Sequence, residues 1–213
     1  MTKKQRAEMI HVRLAGRYPH PAPALDHSNP WELLVATVLS AQCTDQRVNM
    51  VTPELFRRWP GPKDLASIEP EALEEVIRST GLFRSKAKNL VAAARRVMEV
   101  YGGEVPRTMA DLTTLGGVAR KTANIVLSNA FHIHEGIAVD THVKRLAFRM
   151  GLTASDNPVA IEKDLMALFP REAWGDVNHE LVFFGREVCP ARAPRCPECE
   201  LNDICPKKGV TTK

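Results

Sequence analysis

The chain has 213 residues, of which 44% are hydrophobic and 25% are charged, and its formal net charge is +4. This composition is ordinary for a soluble globular protein, and the small positive charge selects no class of partner by itself. No apolar run reaches the roughly 18 to 20 residues that cross a bilayer, which excludes a membrane-spanning helix. The basic first residues are followed by no long apolar run, so we expect no secretory leader and a cytoplasmic location.

Apolar residues recur with helical spacing along most of the chain, and no stretch alternates with the two-residue period of a strand. The pattern predicts an all-α protein of about ten helices. Asn29, Pro30 and Glu32 give the first clear helix start, and the broad apolar band at 33–39 predicts that this helix is central. Further starts are predicted at 52–54, 67–71 and 108–111, and an amphipathic helix is predicted at 86–101.

A tight turn between two helices is predicted within residues 112–131. A short helix ends at Gly116 and Gly117, and a second helix starts at once with an apolar stripe of its own. This arrangement is a helix–hairpin–helix, in which backbone N–H groups of the turn and of the second helix face outward and can bind an anion. A DNA phosphate fits there without sequence preference, and a plain packing corner is the alternative.

Lys121 and Asp140 both lie at predicted helix starts. Lys121 falls in the first turn of the second hairpin helix, where the helix dipole disfavours a cation and so favours the neutral amine that a nucleophile requires. A surface lysine that contacts phosphate is the alternative interpretation. Asp140 is the predicted N-cap of a later helix, and a carboxylate beside an attacking amine could also accept its proton.

Four of the five cysteines, Cys189, Cys196, Cys199 and Cys205, are concentrated near the C-terminal end with the spacing C-x6-C-x2-C-x5-C. All-thiolate sites of this kind select zinc or iron–sulfur clusters. The single C-x2-C pair and the uneven outer spacings favour a [4Fe–4S] cluster, with zinc as the alternative. Disulfides are rare in reducing compartments, and Cys43 is predicted to pack as a small apolar side chain.

Three motifs together resemble one known family. Residues 115–123 read LGGVARKTA, residues 139–142 read VDTH, and the cysteine spacing completes the set. They resemble the endonuclease III family, whose members are helix–hairpin–helix DNA glycosylases with an associated AP-lyase activity and a [4Fe–4S] cluster. Residues 40–45 and 80–83 also resemble family segments in the expected order, so the resemblance covers nearly the whole chain.

The resemblance implies an all-α fold of two helical lobes with a DNA groove between them. Residues 30–132 would form a six-helix-barrel lobe that carries the helix–hairpin–helix at 108–131. Residues 1–29 and 133–213 would form the iron–sulfur lobe, with the cluster loop at 189–205.

The resemblance also implies a role for each matching residue. Lys121 would be the nucleophile and Asp140 its activator, and the four C-terminal cysteines would bind the cluster. Gln42 and Leu82 would be wedges that enter the duplex when a base is extruded, whereas a loop amide and a core leucine are their ordinary interpretations. Further DNA contacts are implied for Gly117, Ala119, Thr122, His142, Arg192 and Arg195. For His142, local hydrogen bonding at the helix start is the alternative interpretation.

The implied function is base excision repair of double-stranded DNA that carries a damaged base or an abasic site. Oxidised pyrimidines would be removed through a lysine Schiff base and β-elimination. We expect a monomer associated with the nucleoid. Two alternatives remain: a non-catalytic or redox-sensing DNA-binding protein with a cluster, and an adenine-mismatch glycosylase relative, which usually lacks the lysine.

The hairpin departs from the family at two positions. The family usually reads LPGVG, and this chain has Gly116 in place of the proline and Ala119 in place of the second glycine. An added glycine increases the entropy of the unfolded chain and is expected to cost on the order of 0.5–1 kcal/mol in stability. The methyl group of Ala119 stands where the backbone would approach a phosphate closely, so weaker DNA binding or an altered substrate range is expected.

Overall fold

The computed structural model describes residues 1–19 and 21–210, and within them all regular secondary structure is helical. The predicted all-α class is therefore confirmed. The α-helices, in chain order, are α1 (Lys3–Arg17), α2 (Pro30–Leu39), α3 (Asp45–Arg58), α4 (Pro62–Ala66), α5 (Pro70–Ile77), α6 (Phe83–Tyr101), α7 (Met109–Leu112), α8 (Arg120–Phe131), α9 (Thr141–Arg149), α10 (Pro158–Met166) and α11 (Trp174–Glu187). Short 3-10 helices occur at Arg78–Thr80, Arg171–Ala173 and Cys196–Glu198. None of the described helices is long and apolar enough to cross a membrane.

The chain divides into two compact units. One comprises residues 23–135 and is called here the hairpin unit, and the other comprises residues 1–22 and 136–213 and is called the cysteine unit. The lobes expected from the resemblance had their boundaries at 30 and 132.

Helix α2 is the centre of the hairpin unit. Its start is built as predicted, because the side chain of Asn29 accepts a hydrogen bond of 2.9 Å from the N–H of Glu32. Nearly all of its residues from Trp31 to Leu39 are buried, so it has no solvent face. Helices α3, α6 and α8 pack around it, and α4 and α5 pack on α6. Cys43 packs at the edge of this core, as predicted.

The predicted helix start at 52–54 is wrong. Helix α3 runs through this segment from Asp45 to Arg58, with Pro53 in its interior. Proline removes one backbone hydrogen bond and disfavours the helix. The buried stripe of Val48, Val51 and Leu55 continues across the proline, however, and each such side chain gains roughly 1.5–3 kcal/mol from burial. Burial of the stripe therefore outweighs the local cost.

The cysteine unit packs α1, α9, α10 and α11 around a second apolar core. Helix α1 also holds the segment that contains the last cysteines. Its Arg6 donates a hydrogen bond of 3.1 Å to the carbonyl of Ile204, and its Arg13 donates to the carbonyl of Glu200 and to the carboxylate of Asp203. The N-terminal helix is therefore part of the support of the cysteine-rich segment.

Candidate active site

The predicted helix–hairpin–helix is present in the hairpin unit, but its first helix ends at Leu112 and not at Gly116, because turns occupy the residues that follow. The hydroxyl of Thr108 caps α7 by accepting a hydrogen bond of 3.1 Å from the N–H of Asp111. The turn closes with a hydrogen bond of 3.1 Å from the N–H of Val118 to the carbonyl of Leu115, and both side chains are buried. Gly117 has a φ of +77°, a left-handed conformation that favours glycine. The two buried side chains thereby hold the turn against the core, while Gly117 itself is exposed.

Gly116 has a packing role that the sequence did not indicate. A Cβ atom at this position would lie 2.6 Å from the backbone carbonyl oxygen of Asn89 on α6. A Cβ at Gly117 would lie 3.2 Å from the Cβ of the same asparagine and 3.3 Å from a methyl group of Val38 on α2. The hairpin turn therefore rests directly on α6 and α2. Gly116 is accounted for by this close approach, so its entropic cost is offset by packing.

Lys121 lies in the first turn of α8 and is exposed. Ala119, the N-cap residue of this helix, provides no side-chain hydrogen bond, and the first turn contains no acidic side chain. The uncapped N–H groups and the positive end of the helix dipole favour an anion at this position. Gly117, Ala119 and Thr122 lie at the same end of α8 as Lys121. Gly117 and Ala119 are exposed, and Thr122 is half-buried.

Gln42 and Leu82 share an unusual backbone conformation. Their φ angles are +53° and +48°, in the left-handed region that costs a non-glycine residue roughly 1–2 kcal/mol. Both side chains are exposed, and Leu82 is 56% exposed although leucine is normally buried. Leu82 is therefore not a core residue. Strained exposed residues of this kind are typical of functional loops, and both belong to the hairpin unit.

Asp140 and His142 lie in the cysteine unit, at the start of α9. One carboxylate oxygen of Asp140 accepts a hydrogen bond of 2.8 Å from the N–H of Val143, so the predicted N-cap is confirmed. The side chain is only half-buried, and its second oxygen has no hydrogen-bond partner in the described part of the chain. Asp140 is thus held in position by one oxygen and can use the other for chemistry.

His142 is held in place by Arg145 and by a glycine of α11. Arginine is only a donor, so the Arg145 guanidinium donates to Nδ1 of His142, over 3.1 Å. Burial lowers the pKa of His142, and the charge of Asp140 opposes that shift in part. A Cβ at Gly185 would lie 2.9 Å from this Nδ1, which explains the glycine. The imidazole is therefore neutral around neutral pH.

All four C-terminal cysteines line one pocket in the cysteine unit. In residues 1–19 and 21–210, no three metal-binding side chains converge on a point that a single ion could occupy. A zinc ion needs four thiolates at about 2.3 Å from one centre, whereas a cluster distributes them over four iron atoms. Four thiols around one pocket are the donor set of an all-thiolate metal site.

Hydrogen-bond donors lie beside the sulfurs of Cys189 and Cys199. The guanidinium of Arg149, which is only 8% exposed, lies 3.2 Å from the sulfur of Cys189 and donates to the carbonyls of Pro190 and Ala191 over 2.7 and 2.8 Å. Burial raises the pKa of Cys199 and disfavours its thiolate when no metal is present. A bound metal would supply the positive charge that stabilises the thiolates.

Arg192 and Arg195 are both exposed in the segment between Cys189 and Cys196. The backbone N–H of Arg195 donates to the carbonyl of Val188 over 3.0 Å, which folds the segment back on the end of α11. Both guanidinium groups are thereby presented on the surface of the cysteine unit.

Sequence reasoning missed Lys86, Asn89 and Arg149. Lys86 precedes Leu90 by one helical turn and Val97 by three turns, so a charged residue stands on the buried stripe of α6. That interruption of the periodicity was the available signal. Asn89 and Arg149 act through contacts that are distant in sequence, and no local pattern indicates them.

The comparisons with known proteins agree with one another. Residues 35–171 match the family model of the HhH-GPD superfamily of base excision DNA repair proteins. Endonuclease III of Synechocystis sp. is 52% identical over 205 residues, which cover 96% of this chain and 94% of that protein. Endonuclease III of Bacillus subtilis is 45% identical over 220 residues and the match covers 100% of both chains.

The solved structures give the same result for the fold. A trapped covalent intermediate of endonuclease III with DNA has a TM-score of 0.91 and 44% sequence identity, and the match covers 97% of each chain. A thermostable thymine-DNA glycosylase has a TM-score of 0.84 at 23% identity, which indicates a shared fold alone.

Proposed function

Because the chain belongs to the endonuclease III family, within the HhH-GPD superfamily of base excision DNA repair proteins, we propose how its own residues perform the reaction. The protein is a base excision repair DNA glycosylase with AP-lyase activity. We assign Lys121 as the nucleophile because its amine is exposed in the first turn of α8, which has no side-chain cap.

In the proposed mechanism the neutral amine of Lys121 attacks C1′ of the damaged nucleotide. The nitrogen–C1′ bond forms as the bond from C1′ to the base breaks, and the base leaves with the electron pair and takes up a proton. Opening of the sugar ring then gives a protonated Schiff base. Loss of a proton from C2′ expels the 3′ phosphate oxygen, which breaks the C3′–O bond and cuts the strand.

Asp140 is the proposed acceptor of the proton that Lys121 loses. The hydrogen bond to Val143 fixes one oxygen, and the other would take up that proton and stabilise the positive charge that develops on the sugar. The neutral ring of His142 accepts from Arg145 through Nδ1, so its Nε2–H can donate a hydrogen bond near the extruded nucleotide without adding charge beside the aspartate.

The remaining proposed contacts divide into base-stack and phosphate contacts. Gln42 and Leu82 would fill the gap that the extruded base leaves, for which an amide and an apolar side chain are suited. The hairpin turn at Gly117, Ala119 and Thr122 would bind phosphate through backbone N–H groups. Arg192 and Arg195 would add salt-dependent contacts to the backbone of the duplex.

Oxidised pyrimidines in double-stranded DNA are the proposed substrates, together with abasic sites. A thymine glycol residue represents the class in the test below. An adenine-mismatch glycosylase is the competing assignment, and Lys121 argues against it because that relative usually lacks the lysine. The enzyme is proposed to act as a monomer on nucleoid DNA in the cytoplasm.

The proposed cofactor is a [4Fe–4S] cluster, which the endonuclease III family is known to bind. Cys189, Cys196, Cys199 and Cys205 would hold it, and Arg149 would compensate part of its negative charge. When bound, the cluster would supply metal–thiolate bonds that fix the 189–205 segment and the arginines on it. The purified protein should contain four iron atoms per chain in the stoichiometry of a [4Fe–4S] cluster. Zinc in their place would overturn this assignment.

Borohydride trapping tests the nucleophile. The wild type should form a covalent adduct with duplexes that carry thymine glycol or an abasic site, and Lys121→Ala should form none with either. Lys163→Ala, which removes an exposed lysine from α10, is the matched control and should trap like the wild type. Undiminished trapping by Lys121→Ala would overturn the proposal.

Asp140→Asn tests the activator without removing the helix cap. Asparagine caps helices about as well as aspartate, so α9 should stay intact. Base excision should fall strongly while DNA binding is preserved. Full excision activity in this variant would reduce Asp140 to a structural cap.

A further inference from the structure

Lys86 is a buried cation on α6 with an unusual set of partners. It is 4% exposed, and its ammonium donates two hydrogen bonds of 2.8 Å, one to the carbonyl of Leu39 and one to the carbonyl of Thr80. No carboxylate forms an ion pair with it among residues 1–19 and 21–210. A buried ammonium is costly unless its hydrogen bonds are made, and here the two carbonyls accept them.

The two carbonyls belong to the residues directly before two short loops. These are residues 40–44, called here the Gln42 loop, and residues 81–82, called the Leu82 loop. Leu39 is the last residue of α2, and Gln42 follows three residues later. Thr80 is the last residue of the 3-10 helix Arg78–Thr80, and Leu82 follows two residues later as the N-cap of α6. One ammonium group therefore binds the backbone just before each of the two exposed residues with a left-handed backbone conformation. All of these residues belong to the hairpin unit.

The chemistry at the base of each loop supports this connection. Carbonyls at the end of a helix lack partners within the helix and lie at the negative end of its dipole, so a cation is favoured beside Leu39. Burial lowers the pKa of Lys86, and the nearby thiol of Cys43 opposes that shift in part. A purely structural contact could be made at lower cost by a neutral donor or by apolar packing. The ammonium instead ties the backbone of both loops to one point on α6.

We propose that Lys86 is a positioning residue that holds the Gln42 and Leu82 loops at a fixed separation, so that both side chains enter the duplex together. The proposal rests on the wedge role assigned above to Gln42 and Leu82. Lys86 itself touches no DNA in this account, because its side chain is buried. It acts through the spacing of the two loops.

The test measures unstacking of the DNA directly. A duplex with 2-aminopurine opposite an abasic site becomes fluorescent when the base is unstacked. Lys86→Met keeps the aliphatic stem and removes the donors, and it should slow unstacking by roughly tenfold to a hundredfold, the range expected when a group is misplaced by about 1 Å. Borohydride trapping on a single-stranded abasic oligonucleotide needs no wedges, so it should equal that of the wild type.

Arg95→Met is the matched control on the same helix. Arg95 also bridges backbone carbonyls, those of Ala66 and Ile68, but these lie away from the Gln42 and Leu82 loops. It should unstack DNA like the wild type. If Lys86→Met does not fold, Lys86→Gln retains a neutral donor and should show a smaller defect of the same kind. Unstacking at the wild-type rate in a folded Lys86 variant would overturn the proposal.

A double-mutant comparison separates positioning from a general structural defect. In a Gln42→Ala/Leu82→Ala background there are no wedges to position, so adding Lys86→Met should change the unstacking rate no further. A multiplicative loss would overturn the positioning role. Normal unstacking by the Gln42→Ala/Leu82→Ala variant itself would overturn the wedge role and this inference with it, while the assignment of Lys121 as nucleophile would stand.

Discussion

Replacing Gly116 by alanine tests whether the hairpin rests on α6. The added Cβ would lie 2.6 Å from the backbone oxygen of Asn89, closer than Cβ atoms approach such an oxygen in real structures. Asn89 cannot move cheaply, because α6 is anchored in the core by its neighbour Leu90 and by Ala93. The hairpin must shift instead. Overpacking of this kind costs typically about 1–3 kcal/mol.

Thermal unfolding gives the size of the effect. For a chain of this length each kcal/mol lowers Tm by roughly 2–4 °C, so Gly116→Ala should lower Tm by several degrees. Gly16→Ala is the control, because a Cβ there has no atom within 4 Å and alanine is favoured over glycine in a helix by roughly 0.5–1 kcal/mol. The two substitutions should change Tm in opposite directions.

DNA binding gives a second measure of the same shift. A displaced turn no longer presents its N–H groups at the phosphate, so Gly116→Ala should also weaken binding to duplex DNA at fixed salt concentration. An alanine variant with the wild-type Tm and the wild-type affinity would refute the argument that Gly116 is required for close packing.

Three further predictions concern other parts of the molecule. Leu82→Gly should leave Tm unchanged or raise it, since relief of the left-handed strain is worth about 1 kcal/mol and little packing is lost, while excision from duplex DNA falls. The hydrogen bond to buried Glu180 raises the pKa of His11 above its ordinary 6.5, so the stabilisation is complete below pH 6.5 and is lost as pH rises through the raised value. The Tm difference between wild type and His11→Ala should therefore shrink at alkaline pH. Arg149→Met should cost about 1–3 kcal/mol, because it removes the charged hydrogen bonds to the carbonyls of Pro190 and Ala191, and should lower the iron content of the protein.

Each of these has an outcome that would contradict it. A clear drop in Tm for Leu82→Gly would mean that the left-handed backbone is not strained. If the Tm difference between wild type and His11→Ala stays constant or grows with pH, the ion pair is not its cause. Full iron content in Arg149→Met would mean that the cysteines hold the cluster without help from the guanidinium.

Local chemistry made much of this protein predictable. Caps such as Asn29, Thr108 and Asp140 act within three residues, so they can be read from the sequence and are confirmed by hydrogen bonds. The spacing of the four cysteines likewise placed them around one cavity, although the cluster itself stays a proposal.

Non-local contacts limited the prediction elsewhere. The backbone preference of Pro53 is local and predicts a helix start, whereas the buried stripe that carries α3 through it is decided by tertiary packing. The role of Gly116 depends on the carbonyl of Asn89, which is far away in sequence. The burial of Lys86 depends in the same way on Leu39 and Thr80.

The central claim is that Lys121 forms the covalent bond to the sugar. The most direct measurement is to reduce the adduct on an abasic duplex with borohydride, digest it, and identify by mass spectrometry the lysine that carries the sugar remnant. We expect the remnant on Lys121. A remnant on any other amine, with Lys121 unmodified, would contradict it.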